Sequence, residues 1–397
     1  DLVKWEFIGW AFPEIPHEAV EWVRSHADGK GATNIWAPYI IPFGDKYRLY
    51  YCVSAFGLKT SYIGLAESAS PEGPWMQRGC VVKTDATSVM NAIDPSIIAD
   101  SATGKWWMHY GSFFGGLYCV ELNPETGLPV QEGDQGHLIA RRATYWKDNL
   151  EAPEIIYNPE LKQYYLFVSY DPLMTTYNVR VGRSDKAEGP FVDYFGVELK
   201  DTTNNFPILT APYRFNNHPG WAGTAHCAVF TSDEGQYFMA HQGRLSPHNQ
   251  MMDLHLRQVF FTSDGWPVVS PERYTGSASR KFSAADIVGE WEIIRVQEPA
   301  YERQLQAGQI LWGEGQLKNE EWNVSCTLSL KKDGQLDENK GYWKFAERGQ
   351  LLSLTLNGES VDNLLVFAGH DWENETETVL FTGLDSRGRS VWGKRTK

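Results

Sequence analysis

Three residues able to do acid–base chemistry stand at matching places in recurring segments of the chain. Asp94 lies in "NAIDPSII", Glu151 in "LEAPEII" and His226 in "GTAHC". Each comes just before a short apolar run, so each is predicted to stand where a strand begins. Taken singly, each has a plain structural account. Asp-Pro is a common turn opener, a carboxylate at a strand end is usually a solvated surface group, and a histidine is often satisfied within a core. Taken together, two carboxylates and a histidine with no Lys or Arg in their own motifs suit work on an uncharged substrate. Breaking a glycosidic bond is such work: one carboxyl protonates the leaving oxygen while another carboxylate activates water or attacks. A second nearby carboxylate also raises the pKa of the acid by like-charge repulsion, so that it keeps its proton near neutrality.

An internal repeat would bring the three together. "APYIIPFGDKYRLYYCVS" from Ala37, "DPSIIADSATGKWWMHYGS" from Asp94, "APEIIYNPELKQYYLFVSY" from Ala152 and "AHCAVFTSDEGQYFMAHQG" from Ala225 align as strand, polar turn and aromatic-rich strand. Pro38, Pro95 and Pro153 are 57 and 58 residues apart, and the fourth unit, anchored on His226, follows 73 residues later. "ESASPEGPW" and "RSDKAEGPF" recur 116 residues apart, two repeats on. Repetition on this scale, with no helical periodicity of useful length, predicts an all-β, five-bladed β-propeller. Its innermost strands would open at Trp36, Asp94, Glu151 and Thr224–His226 and converge on one axis. "DLVKWEFIG" at 1–9 reads as the outer strand of a first blade truncated at the N-terminus, its inner strands expected before residue 1. From about residue 284 the pattern becomes alternating segments separated by Asp-Gly and Asn-Gly turns, which predicts a small antiparallel β-barrel or sandwich. The expected domains are therefore a catalytic propeller over 1–276 and an antiparallel β domain over 284–397.

Composition narrows the partners. Of 397 residues, 42% are hydrophobic, which is ample for a globular core in two or three domains. No run approaches the ~18 apolar residues of a membrane span. A formal charge of −14 argues against nucleic acid. Sixteen tryptophans suit either sugar stacking or a β core. Cys52, Cys80, Cys119, Cys227 and Cys326 are odd in number, widely spaced and form no CxxC, so buried thiols are expected rather than a disulfide or zinc framework. The opening residues show neither Met nor a charged-then-apolar leader, as in a processed form or one lacking its natural start.

Several motifs together resemble the arabinan-degrading members of glycoside hydrolase family 43: "YYCVSAFGLKTSYIGLAES", "NAIDPSII", "HYGSFFGGL", "LEAPEII", "TYNVRVGRS", "GTAHCAVF" and "DGWPVVSPERY", in order along most of 1–276. The resemblance implies inverting hydrolysis of α-1,5-linked L-arabinofuranose chains by a base, an acid and a carboxylate that tunes the acid. Glu151 matches the acid and Asp94 the tuning residue. His226 matches a histidine near a calcium ion or water cluster on the propeller axis. Phe56 matches an aromatic platform for a sugar ring, and Asn91 and Ser112 match polar residues lining the cleft. Trp36 lies at the same rim, and Arg244 in "HQGRL" is a further candidate for substrate binding. The family's base is an Asp on the innermost strand of the first blade, so it is expected upstream of residue 1; Asp1, Glu6, Glu14 and Glu18 occupy no equivalent motif. The implied partner is arabinan or an arabino-oligosaccharide, and the implied setting is secreted or periplasmic in a bacterium. An exo-acting α-L-arabinofuranosidase or β-xylosidase stays open as an alternative, as does a non-catalytic glycan-binding propeller.

Overall fold

The computed structural model describes residues 1–143, 148–201, 204–248, 250–299, 317, 321–337 and 341–397. The chain forms two compact units. One comprises Asp1–Trp5, Tyr170–Val181 and Phe206–Lys397, and the other Glu6–Ser169 and Gly182–Asn205.

In the second of these, β1 (Trp36–Phe43), β2 (Lys46–Ser54), β3 (Ser61–Ser68) and β4 (Met76–Thr84) make a four-stranded antiparallel sheet in sequential order. β5 (Ser96–Ala99), β6 (Trp106–Tyr110), β7 (Leu117–Leu122) and β8 (His137–Ala140) repeat the plan. β9 (Leu150–Asn158) and β10 (Gln163–Tyr170) open a third repeat. Each of these hairpins falls where the aligned segments put it. The last seven residues of β2 are all buried, so the sheet is covered on both faces, as radially stacked blades require. Tyr50, Cys52, Ile63 and Leu65 of the first blade share a core with Ile97, Met108, Tyr110 and Val120 of the second. Arg48, fully buried, ties the two: its Nε donates to Glu67 at 3.0 Å, and Nη1 and Nη2 donate to the carbonyls of Pro124 and Glu125 at 2.7 and 2.6 Å.

The N-terminal region differs from expectation. Residues 1–9 carry no strand, because among the described residues none pairs with them; Trp5, Phe7 and Ile8 are 65–71% exposed. A helix the sequence reading did not anticipate, α1 (His17–His26), follows. Its buried residues, Ala19 and Val23, are spaced i, i+4 and pack on Tyr51, Val53 and Tyr62. One turn's worth of apolar pattern is too short to stand out against neighbouring strands.

In the other unit, β11 (Asn178–Ser184) pairs with β12 (Ile208–Thr210) through Val179 and Thr210. Short strands β13 (Tyr213–Arg214) and β14 (Trp221–Ala222) precede a further blade of the repeating plan: β15 (Ala228–Thr231), β16 (Tyr237–Leu245), β17 (Asp253–Phe261) and β18 (Pro267–Val269). Helix α2 (Ala284–Ile287) leads into β19 (Gly289–Arg295), and β20 (Asn323–Val324) runs parallel to β13. β19 then joins β21 (Cys326–Leu330), β22 (Gly341–Ala346), β23 (Leu351–Leu356), β24 (Glu359–Asp371), β25 (Thr376–Leu384) and β26 (Ser390–Arg395) in one sheet of order β21-β19-β26-β25-β24-β23-β22. Bridges Leu330↔Leu336 and Gln335↔Tyr342 link its two edges, so the sheet closes as a barrel rather than splitting into a sandwich. Trp291, Trp343, Leu352 and Phe381 fill it, with Phe282 and Ile287 packed on the same cluster.

Candidate active site

The repeat carries a backbone signature at its strand openings. Ala37, Asp94, Ala152 and His226 take left-handed φ values of 28°, 58°, 53° and 53°. The first three precede proline, which normally drives the preceding residue to extended backbone. Such conformations cost on the order of 1–3 kcal/mol each and persist only where the surroundings hold them. In β1 the pairing register slips between Trp36 and Tyr39, as at a β-bulge that re-aims a strand. Asp94 is thus the counterpart of Ala37, Ala152 and His226, and Glu151 stands one residue earlier than that position. The same argument yields a test at Ala152. Ala152→Gly is expected to melt close to the wild type, because glycine adopts this backbone freely, whereas Ala152→Val adds a branched side chain to it and loses about 2 kcal/mol or more. Equal melting temperatures would refute the strain.

Glu151 and Asp94 are brought together in the blade-bearing unit. Ser112 Oγ donates to Glu151 Oε2 at 2.7 Å, and the two residues form a bridge outside the named strands. The Ala152 N–H donates to Asp94 Oδ2 at 3.2 Å. Asp94 is buried, and burial pushes its carboxyl well above the usual carboxylate range. The charge of Glu151 adds to that rise, and the Ala152 N–H opposes it. Asp94 therefore keeps its proton at pH values where an isolated aspartate would have lost it.

Other predicted site residues lie in the same unit. Asn91 is buried and accepts from Ser61 Oγ at 2.6 Å. The Cys52 thiol donates to the carbonyl of Trp36 at 2.9 Å and is raised by burial and by the Asp94 charge. Trp36 and Phe56 meet edge to face at 6.1 Å between centroids, with Phe56 42% exposed. Sequence reasoning missed the approach to Glu151. Asp148 and Asn149 are both left-handed and buried. The Gly115 N–H donates to Asp148 Oδ2 at 2.9 Å, and Arg142 Nη1 donates to the Asn149 carbonyl at 3.1 Å. The available signal was the Asp-Asn pair itself, since these two types tolerate left-handed backbone best after glycine.

His226 and Arg244 lie in the barrel-bearing unit. β14 and β15 both pair with β16, and residues 223–227 form an excursion between them that carries the half-buried His226. Gln242 holds that excursion: its N–H donates to the Ala225 carbonyl at 3.2 Å and its Nε2 to the Gly223 carbonyl at 3.1 Å. Arg244 is buried, donating from Nη1 to the Gln250 carbonyl at 3.2 Å and from Nη2 to Gln242 Oε1 at 3.4 Å. Gly223 is left-handed, and a Cβ there would lie 2.8 Å from both Arg244 Cδ and the Leu173 carbonyl oxygen. Among the described residues the grouping with spacing suited to a metal ion is Glu272, Asp371 and Glu373, whose oxygens lie within 4.8 Å of one another and could hold one. The cation they hold in this structure is Lys394. Its Nζ donates to Glu272 at 2.9 Å, to Asp371 at 3.0 Å and to Glu373, and it sits 4.0 Å from the centre of the Phe215 ring.

Comparison with known proteins decides the class. Residues 1–267 match the family described as glycosyl hydrolases family 43, and residues 271–393 match a C-terminal lipocalin-like domain. The chain belongs to glycoside hydrolase family 43. It is accordingly a glycosidase with a propeller-type catalytic region and a lipocalin-like barrel. This family 43 member is 29% identical to an extracellular endo-alpha-(1->5)-L-arabinanase of Thermotoga petrophila, over all of this chain and 88% of that protein. It is 31% identical to an extracellular exo-alpha-(1->5)-L-arabinofuranosidase of Cellvibrio japonicus, over 71% of this chain and 81% of the relative. Among solved structures, the family 43 YxiA protein of Bacillus licheniformis superposes with a TM-score of 0.82 at 25% identity, covering 97% of this chain and 88% of its own. The Thermotoga petrophila endo-1,5-alpha-L-arabinanase superposes at 0.81 and 27% identity, covering 96% and 87%.

Proposed function

We propose that this glycosidase hydrolyses the α-1,5-L-arabinofuranosidic linkages of arabinan and arabino-oligosaccharides with inversion. Glu151 is the general acid and Asp94 the buried carboxyl beside it that orients and tunes it. The observation that carries the reading is the buried Asp94 carboxyl beside Glu151, each held by its own donor. In the reaction, water adds to the anomeric carbon while the proton of Glu151 passes to the departing O5, and Ser112 holds Oε2 in place throughout. A third carboxylate must activate the water, and none of the residues above is assigned that work. Phe56 and Trp36 offer the sugar an aromatic face, Asn91 and Ser112 supply polar groups beside the acids, and Arg244 is assigned to substrate binding. The domains we propose for this work are the catalytic 1–276 and the C-terminal 284–397.

Debranched arabinan incubated with the protein tests the reading. The expected result is oligosaccharides whose first-formed reducing ends, followed by proton NMR, have the β configuration. Release of single arabinose units from one chain end would favour exo action, the activity named for the Cellvibrio relative. Binding of arabinan without new reducing ends would overturn the hydrolytic assignment. Extracellular names among the bacterial relatives support secretion, and among the described residues no helix is long and apolar enough to cross a membrane.

Calcium at His226 is implied by the family resemblance. Calcium takes six to eight oxygen ligands, and His226 offers a nitrogen, so water would have to supply the shell. The oxygen-rich alternative at Glu272 is already neutralised by Lys394. The residues at His226 do not by themselves fit the ion, and no step above runs through it. Dialysis against a chelator is expected to leave hydrolysis within about twofold of the untreated protein; a loss restored by calcium alone would assign the ion to His226.

A further inference from the structure

Among the described residues, the barrel core packs tightly at one end and leaves the other open. Along β19 the inward side chains run Trp291, Ile293, Arg295, from an aromatic plug to a cation at the mouth. At the plug, Trp291 and Phe381 pack 5.2 Å apart between centroids. Toward the mouth there is a cavity of about 440 Å³. Ile293, Leu328, Leu354, Val361 and Val391 form its floor, each 9% exposed or less. They come from five strands at alternating positions, as an inward-facing barrel layer must. Volume and apolar lining fall within the range of small-molecule sites. No aromatic ring lines it among the described residues, so it lacks the flat face on which a sugar stacks.

The rim has a charge opposite to that of the chain. Arg295 Nη1 donates to Glu359 at 2.9 Å, and its Nε lies 3.6 Å from Asp385. Asp385 is also bound by Arg389 at 2.7 Å, and the charges of Arg387 and Arg389 both act on Glu359. Three guanidiniums thus face two carboxylates, in a protein of formal charge −14. The Glu359 side chain is 63% exposed, so its hold on Arg295 is that of a surface pair and easily exchanged for another carboxylate.

We propose that the barrel mouth is a binding site for a small amphiphilic carboxylate, its aliphatic or aromatic body on the aliphatic floor and its carboxylate on Arg295 in place of Glu359. The site is independent of the glycosidase centre. Cys326 lines the cavity and is exposed, whereas Cys52, Cys119 and Cys227 are buried and Cys80 is partly so. Alkylation of Cys326 by iodoacetamide, followed residue by residue by mass spectrometry, therefore reads occupancy. Decanoate is the probe and decanol its uncharged control. Saturable slowing of Cys326 labelling by decanoate, tenfold or more at saturation with Cys80 unchanged, is the expected result. Arg295→Gln should weaken the apparent affinity at least tenfold, to the level of decanol. Leu354→Trp, which fills the floor, should abolish protection at an unchanged melting temperature; should it fail to fold, Leu356→Trp at the half-buried upper wall serves instead. Unprotected Cys326, equal protection by decanoate and decanol, or protection that survives the filled cavity would each overturn the proposal.

Discussion

Glu151→Gln should lower kcat on arabinan by about 10²–10⁴-fold, the usual contribution of a positioned general acid. Glutamine keeps the shape and the acceptor for the Ser112 hydroxyl, which donates to Oε2 at 2.7 Å, so the fold and KM should change little. The loss should depend on the leaving group. An aryl arabinofuranoside departs without a proton, so the variant should retain most of its rate there while failing on arabinan. A variant equally impaired on both substrates would make Glu151 a structural residue. Asp94→Asn separates the second role. Asparagine tolerates the left-handed backbone at this position and accepts from the Ala152 N–H as aspartate does. Because burial and Glu151 raise the Asp94 carboxyl in the folded state, its contribution to stability is fully present below its ordinary value and is lost as pH rises through the folded one. At neutral pH the neutral variant should therefore melt at or above the wild type while its hydrolysis falls. Such an opposition of stability and activity is the mark of a carboxyl retained for chemistry.

Lys394→Met should destabilise the barrel-bearing unit by about 3–5 kcal/mol, the usual cost of removing one partner from a buried ionic group. Lys394 is fully buried, and so are Asp371 and Glu272 beside it. Burial disfavours the ammonium, but Glu272 and Glu373 outweigh that and hold it protonated. Glu272 is pushed up to about 8, by burial first, with Lys394 pulling against the rise. Without the lysine, three carboxylates would share one buried space with only the weaker pull of the Arg257 charge on Glu272 to oppose them. Unit melting should drop by on the order of 10 °C, given the few degrees that each kcal/mol is worth in a unit of this size. The sign with pH follows from Glu272. A raised carboxyl is favourable below its ordinary value and loses that advantage as pH rises through about 8, so the variant's deficit should be largest at alkaline pH and shrink toward pH 5. A deficit independent of pH would locate the damage in packing around Phe215 instead.

Much of the architecture was legible because repetition writes it more than once. The Ala37, Asp94, Ala152 and Ala225 segments each became the expected hairpin, and the left-handed openings at Ala37, Asp94 and Ala152 show that the first three were aligned correctly to the residue, whereas the fourth is offset by one, its left-handed residue being His226 rather than Ala225. Glu151 and Ser112 were named from sequence, yet the bond between them spans 39 positions and only folding reveals it. The Lys394 cluster was invisible for the same reason. Glu272 and Lys394 are 122 residues apart, and each reads alone as an ordinary surface charge. Helix α1 escaped because its two buried residues give too little periodicity to oppose the surrounding strand pattern. Residues 1–9 read as the outer strand of a blade by analogy with the later repeats, but a strand exists only where a neighbour completes its hydrogen bonds, and the repeat does not say whether one is there.

The short parallel strand β20, lying beside β13, bears on how the gene can be handled. Trimming it after Gly276, a little past the end of the family 43 match at residue 267, would strip Tyr213 of its neighbour Asn323. It would also strip Glu272 of its ammonium and the Val269 carbonyl of the Thr382 hydroxyl that caps it at 2.7 Å. A raw sheet edge and a stranded acid would then face water together, which favours clumping over folding. The lipocalin-like domain is, in this sense, built into the same compact unit as β13–β18 rather than a passenger.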